Sequence, residues 1–231
     1  MISPEREVEC AQIAVEAQHY FAEQFEARQT CPLDDMMSDM VRPAEGEDPM
    51  TMRELLDMMS QLLNGGNQTT TSSLAMGLKL LIDHPDQMAR LRQDPTLIGN
   101  FVEEVLRLET PVQALFRLVT QDTHLGGVDI PEGSVVVLLY GSANRDESKF
   151  EDVAEFDIER RNAGAHMAFG AGAHFCPGAM LARQEMASAF RAIIARMDDI
   201  QYAQGQDSFH YPPSLIHRGL ERLELTFEKL A

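Results

Sequence analysis

The sequence predicts an α+β fold that is mainly α, and three observations carry that reading. The first hundred residues hold long stretches with helix caps, helical apolar spacing and few internal breakers. After Pro111 the pattern changes to the β-rich runs "ALFRLVTQD" and "SVVVLLY", which flank the turn chemistry of "LGGVDIPEG". A last helical stretch, at about 177–197, leads into an alternating tail. With 231 residues the chain is long enough for one large domain or two small ones with a proper core.

Each element has a local cause. "SPERE" offers Ser3 as an N-cap and Pro4 at the first helical position, opening a helix that runs to about residue 28. "TCPLDDMMSDMV" restarts a short helix after Pro32, and "RPAEGEDP" is a polar loop. "TMRE" then supplies a capping box, Thr51 with Glu54. From 52 to 83 nothing breaks the chain except Gly65, Gly66 and the polar cluster at 67–73. Such a helix spans roughly 45 Å. Glycines and threonines in its middle are poor helix formers and ask for a reason. Pro85 and Pro95 punctuate helices at about 85–92 and 96–108. Residues 145–173 read as coil, and "SLIHRGLERLELTFEKL" alternates like a terminal hairpin.

Composition narrows the partners. Nineteen basic against thirty-seven acidic residues give a net charge of −18, which argues against nucleic acid or an anionic membrane surface. No apolar run reaches the ~18–20 residues of a transmembrane helix. The opening "MISPEREVEC" does not read as a signal peptide, so a cytoplasmic protein is expected. Three cysteines, Cys10, Cys31 and Cys176, fit reduced thiols rather than a disulfide framework. The clustered methionines of "DDMMSDM" and "LLDMMS" read as core filling.

The chemistry concentrates in "FGAGAHFCPG", residues 169–178. Gly170, Gly172 and Gly178 let the backbone approach a flat or bulky partner. The helix that begins just beyond Cys176 turns its positive end towards the sulfur and stabilises a thiolate. A thiolate in an apolar loop is a nucleophile or a metal ligand, although most cysteines are simply buried core residues. A zinc or cysteine-hydrolase site built from His166, His174 and Cys176 is the weaker alternative. Zinc asks for three or four ligands, and no C-x-x-C or H-x-x-x-H is present.

The pattern F-x-x-G-x-H-x-C-x-G, with Phe169, Gly172, His174, Cys176 and Gly178 in place, resembles the haem-ligand loop of the cytochrome P450 superfamily, in its soluble bacterial form. Four further pieces stand in the family's order. "GGNQTT" resembles its oxygen-binding stretch, "EEVLR" its Glu-x-x-Arg helix pair, "FDIER" the third member of a Glu–Arg–Arg cluster, and "ALFRLVTQD" a propionate-binding strand. The resemblance covers nearly the whole chain but only the C-terminal half of the family fold.

The resemblance implies a set of roles. The cofactor is haem b with Cys176 as axial thiolate, and Phe169 and Gly170 lie beside the sulfur. His174 and Arg117 bind propionates, His166 is a structural hydrogen bonder, and Glu104, Arg107 and Arg160 pin the loop. Gly65 and Gly66 make room for O₂, Thr69 offers a hydroxyl near it, and Gln68 stands where an acid is usual. Gln113, Ala114, Leu115, Leu215 and Ile216 line the pocket of an apolar organic substrate. Electrons come from a separate ferredoxin or flavodoxin, since no flavin or nicotinamide fingerprint appears in the sequence. The implied activity is a monooxygenase. The alternative is a shortened, non-catalytic or haem-free fragment, associating with a second copy or pairing with a missing N-terminal half.

Overall fold

A computed structural model describes residues 3–206 and 208–230. The chain divides into two compact units, Met1–Gly66 and Asn67–Ala231.

The first unit holds α1 (Pro4–Thr30), α2 (Met36–Val41) and the opening turns of α3 (Met52–Asp83). Ser3 caps α1 by accepting the Arg6 N–H at 3.3 Å. The capping box forms as expected: Thr51 N–H donates to Glu54 Oε2 at 2.7 Å, and Glu54 N–H donates to Thr51 Oγ1 at 3.3 Å. The cap of α2 is Asp35, whose carboxylate accepts the Ser38 N–H at 2.8 Å. Arg28 reaches across to the same carboxylate at 2.9 Å. Phe25, Leu55 and Met59 form the buried centre, and Met37, Met40, Met50 and Met52 pack around it. Of the two methionine clusters, Met37, Met40 and Met59 fill this core as expected, whereas Met36 and Met58 stand exposed.

The second unit takes the rest of α3, then α4 (Pro85–Gln93) and α5 (Ile98–Leu108). Three antiparallel pairs follow. β1 (Ala114–Leu118) pairs with β4 (Val135–Leu139), and β2 (Thr123–Leu125) pairs with β3 (Val128–Ile130) through Gly126 and Gly127. α6 (Tyr140–Ala143) and α7 (Ala179–Arg196) precede the third pair, β5 (Met197–Tyr202) with β6 (Leu225–Lys229). The expected terminal hairpin does not form. Alternation marks a strand but does not name its partner: β6 returns to β5, and the segment before it makes only an isolated bridge, His217 to Val112.

The core of this unit is Phe101, Val105, Leu81, Ile158, Met186 and Phe190, contributed by α3, α5, α7 and the coil between. Gly77 is where α3 meets α7. A Cβ there would lie 2.6 Å from Phe190 Cζ, so only glycine admits the ring without a shift.

Two polar clusters tie this core to the irregular segment 145–173. In one, Glu104 and Arg107 are both 0% exposed and Arg160 is 8% exposed. Arg107 forks onto Glu104 at 2.7 and 2.8 Å, and Arg160 Nε donates to Glu104 Oε1 at 3.0 Å. One carboxylate faces two cations, and the remaining guanidinium protons go to backbone. Arg107 donates to the carbonyls of Asn144, Val153 and Glu155, and Arg160 to those of Glu151, Asp152 and Glu155. In the other cluster, Arg183 of α7 forks onto Glu103 of α5 at 2.6 and 2.9 Å. His166 Nδ1 accepts the Ala168 N–H, which leaves the proton on Nε2 to donate to Glu103 at 3.1 Å. Burial pushes the Glu103 carboxyl up, but the hydrogen bonds from His166 and Arg183 outweigh it and hold the group at about 2.

Two outcomes are expected. Glu104→Gln leaves two buried guanidiniums without a counter-charge and should cost about 3–5 kcal/mol in urea unfolding; a loss under about 1 kcal/mol would show the cluster to be dispensable. For Glu103, the folded value lies below the ordinary 4.5, so its stabilisation is present above that pH and is lost as pH falls towards about 2. Melting temperatures of wild type and Glu103→Gln, followed from pH 6 down to pH 2.5, should converge as acid is added. A gap that stays constant contradicts the assignment.

Candidate functional site

The loop around Cys176 is built on two glycines in the left-handed region, Gly170 at φ +71° and Gly172 at φ +68°. There a side chain would be strained, so the sharp reversal is a glycine property. Gly170 N–H donates to the Met167 carbonyl at 2.9 Å, and Phe175 N–H to that of Gly172 at 3.0 Å. Cys176 N–H then closes the loop onto the Phe169 carbonyl at 2.9 Å. The sulfur is half-buried and lies near Gly178, where a Cβ would stand 3.9 Å from it. Gly178 is the residue before α7, so the thiol sits at that helix's positive end.

Phe169 is held from three sides. It packs on the core of the second unit, its ring centre lies 5.7 Å from that of His166, and the Arg183 guanidinium stacks over it at 4.5 Å. Farther back, buried Asn144 accepts the Met167 N–H at 2.6 Å and donates to Thr110 at 2.7 Å. The turn between α5 and β1 and the approach to the cysteine loop thus share one side chain.

The structure brings Glu104, Arg107 and Arg160 together, and places Phe169, Gly170, Cys176 and Gly178 in one loop. His174 lies in the same loop, exposed. Arg117 is half-buried on β1, where its guanidinium donates to the Phe116 carbonyl at 2.9 Å. Thr69 is half-buried and Gln68 exposed on α3. Gly65 and Gly66 are exposed in the first unit, and a Cβ at Gly66 would meet nothing within 4 Å. Of the expected pocket residues, Gln113 and Ile216 meet through a 2.7 Å backbone hydrogen bond, and Ala114 is buried. Leu115 sits at the surface of β1, and Leu215 is 81% exposed. A cavity of about 360 Å³ in the second unit is lined instead by Gln68, Thr71 and Ser72 of α3 and by Ser214, His217 and Leu220.

Four residues of this site, Glu103, Arg183, Asn144 and Thr110, escape a reading of the sequence. The one signal is the doublet in "EEVLR": its second glutamate has a role as the helix-pair acid, and its first is a spare carboxylate on the same turn. The bonds of His166 to Glu103 and Ala168 are of the structural kind expected for it.

The donor set decides which metal chemistry fits. Among the described residues no three histidine, cysteine or acidic side chains gather into a ligand group. One half-buried sulfur, framed by Phe169 and glycine backbone, suits a metal that brings its other ligands in a flat macrocycle. It does not suit tetrahedral zinc, which the protein itself must surround. Among the described residues no helix is long and apolar enough to cross a membrane.

Comparison with known proteins agrees with this geometry. The family model Cytochrome P450 matches residues 11–100 and 96–198. 6-Deoxyerythronolide B hydroxylase of Saccharopolyspora erythraea is 34% identical over 99% of this chain and 56% of its own length. The biotin biosynthesis cytochrome P450 of Bacillus subtilis is 38% identical over 94% of this chain and 54% of its own. The chain therefore spans about half the length of the curated relatives it matches. Among solved structures, CYP109E1 from Bacillus megaterium in complex with corticosterone superposes with a TM-score of 0.92 at 33% identity, covering 97% of this chain and 60% of that one. P450BioI in complex with an acyl carrier protein bearing a hexadecenoic acid gives 0.89 at 36%, covering 99% and 57%. A lone thiol in a glycine-built loop, backed by a buried Glu–Arg–Arg cluster and matched along the chain in both sequence and fold, places this chain in the cytochrome P450 family.

Proposed function

We propose that the chain is the thiolate-bearing, C-terminal part of a haem b monooxygenase acting on an apolar organic substrate. The observation that carries this is the half-buried Cys176 at the start of α7, in a loop clamped through Phe169. When bound, thiolate-ligated haem supplies the activation of O₂ from which one oxygen atom enters the substrate.

The residues act around that centre. Cys176 would hold the haem iron through its sulfur, and Phe169 would shield that sulfur from water. His174, exposed at the loop, and Arg117 on β1 pair with the propionates as cations against carboxylates. Thr69 offers its hydroxyl on the oxygen side. Gln68 can donate and accept hydrogen bonds but cannot gain or lose a proton in the working pH range, so it orients water without acting as an acid. Gln113, Ala114, Leu115, Leu215 and Ile216 contribute uncharged surface to the substrate side. The structural neighbour holding corticosterone supports an apolar organic molecule as the substrate class. A separate ferredoxin or flavodoxin supplies the electrons.

One observation favours a second reading, a haem-free binding or assembly module. Val8, Ile13, Val15 and Tyr20 on α1 are exposed, an apolar content that suits association with another copy or another chain.

Reconstitution with haem separates the two readings. A Soret band and a thiolate-type ferrous carbon monoxide spectrum are expected, and Cys176→Ser should lose the thiolate signature while keeping its circular dichroism. A chain that takes up no haem, or a serine variant with an unaltered spectrum, sinks the leading reading. Gln68→Glu places a titratable group beside Thr69 and should raise the ratio of product to electrons consumed; an unchanged ratio removes Gln68 from the proton path.

A further inference from the structure

Arg183 occupies an unusual position for a charged side chain on the helix that follows the ligand loop. It is only about one-third exposed, it forks onto Glu103 at 2.6 and 2.9 Å, and its guanidinium plane rests on Phe169. Phe169 in turn accepts the Cys176 N–H through its carbonyl. A salt bridge, a cation–π contact and a backbone hydrogen bond thus run in series from α5 to the sulfur-bearing residue. The guanidinium is held firmly charged by its hydrogen bonds to Glu103. Arg183 stands on α7, the helix that begins just beyond Cys176, and its cation lies 4.5 Å from the centre of the Phe169 ring. Glu103 also accepts from His166, so one carboxylate serves both donors.

We propose that Arg183 is a positioning residue for the sulfur ligand, its charge setting the field at Cys176 and hence the ferric/ferrous potential of haem bound there. The proposal rests on the haem-thiolate reading above. Reduction adds one negative charge at the iron–sulfur unit, so a nearby cation favours the reduced form and a nearby anion disfavours it. Glu103 tempers the cation and aims it. Partial burial keeps this field from being screened as it would be at the surface.

The test uses the whole chain loaded with haem, as wild type, Arg183→Gln, Arg183→Lys and Glu103→Gln, with redox titration as the readout. Arg183→Gln removes the cation and should lower the potential. Glu103→Gln leaves the cation uncompensated and should raise it. Arg183→Lys keeps the charge without the fork and should stay near wild type, although its melting temperature falls. All three variants disrupt the Arg183–Glu103 fork, so a merely structural role would move every potential in one direction. Potentials that shift together, or do not shift, overturn the proposal while leaving the haem reading intact. A wild-type chain that takes up no haem overturns that reading, and the proposal with it. Should Arg183→Gln not fold, the remaining pair still decides: a rise in Glu103→Gln with no change in Arg183→Lys supports the field, and any other combination refutes it.

Discussion

The second unit depends on one buried carboxylate. Glu104 is fully excluded from water while bonded to two guanidiniums, and neither arginine can return to solvent without dragging backbone with it. Desolvating such a group is expensive, and a buried ion pair is often no more stabilising than a well-packed apolar substitute. Its value here is directional. A leucine in place of Arg107 would fill the space but could not gather the carbonyls of Asn144, Val153 and Glu155 at fixed angles. Those carbonyls belong to coil, which has no ladder of its own to define its course. The arginines supply the ladder.

Local chemistry is legible in the sequence where cause and effect are close together. The Ser3 cap, the Thr51–Glu54 box and the helices after Pro85 and Pro95 each arise from residues within one turn of one another. The cysteine loop is legible because two positive-φ glycines and a cysteine occur within seven residues. Long-range choices are not. The tail alternates, but its strand pairs with β5 because that strand's edge stands open directly after α7, and alternation carries no address. Likewise Glu103 and Arg183 are eighty residues apart, and no spacing rule links them. The substrate-side residues suffer most: Leu215 and Ser214 are neighbours in sequence, yet only the serine faces the cavity.

The two clusters divide their labour although their acids are adjacent. On α5, Glu103 and Glu104 point to different sides of the helix, about 100° apart. One side grips the coil, and the other grips α7 and the aromatic beside the sulfur. A single helical turn thereby fixes both the approach to the ligand loop and its departure. His166 belongs to the same device. Its ring spans from the Glu103 carboxylate to the Ala168 N–H, just ahead of the turn in which Gly170 bonds back to Met167.

The segment 145–173, with no α-helix or strand and only short 3-10 turns at Ala163–Ala165 and from Gly172, looks like a place where a chain could be nicked, spliced or lengthened. Its hydrogen-bonding argues otherwise. A protease must draw several residues into an extended form, and here that would tear carbonyls from buried guanidiniums and Met167 from Asn144. Slow amide exchange and resistance to limited digestion therefore belong to this coil as much as to the helices. The polar stretch at 42–49, exposed throughout, is where a cut or an inserted tag would do least harm.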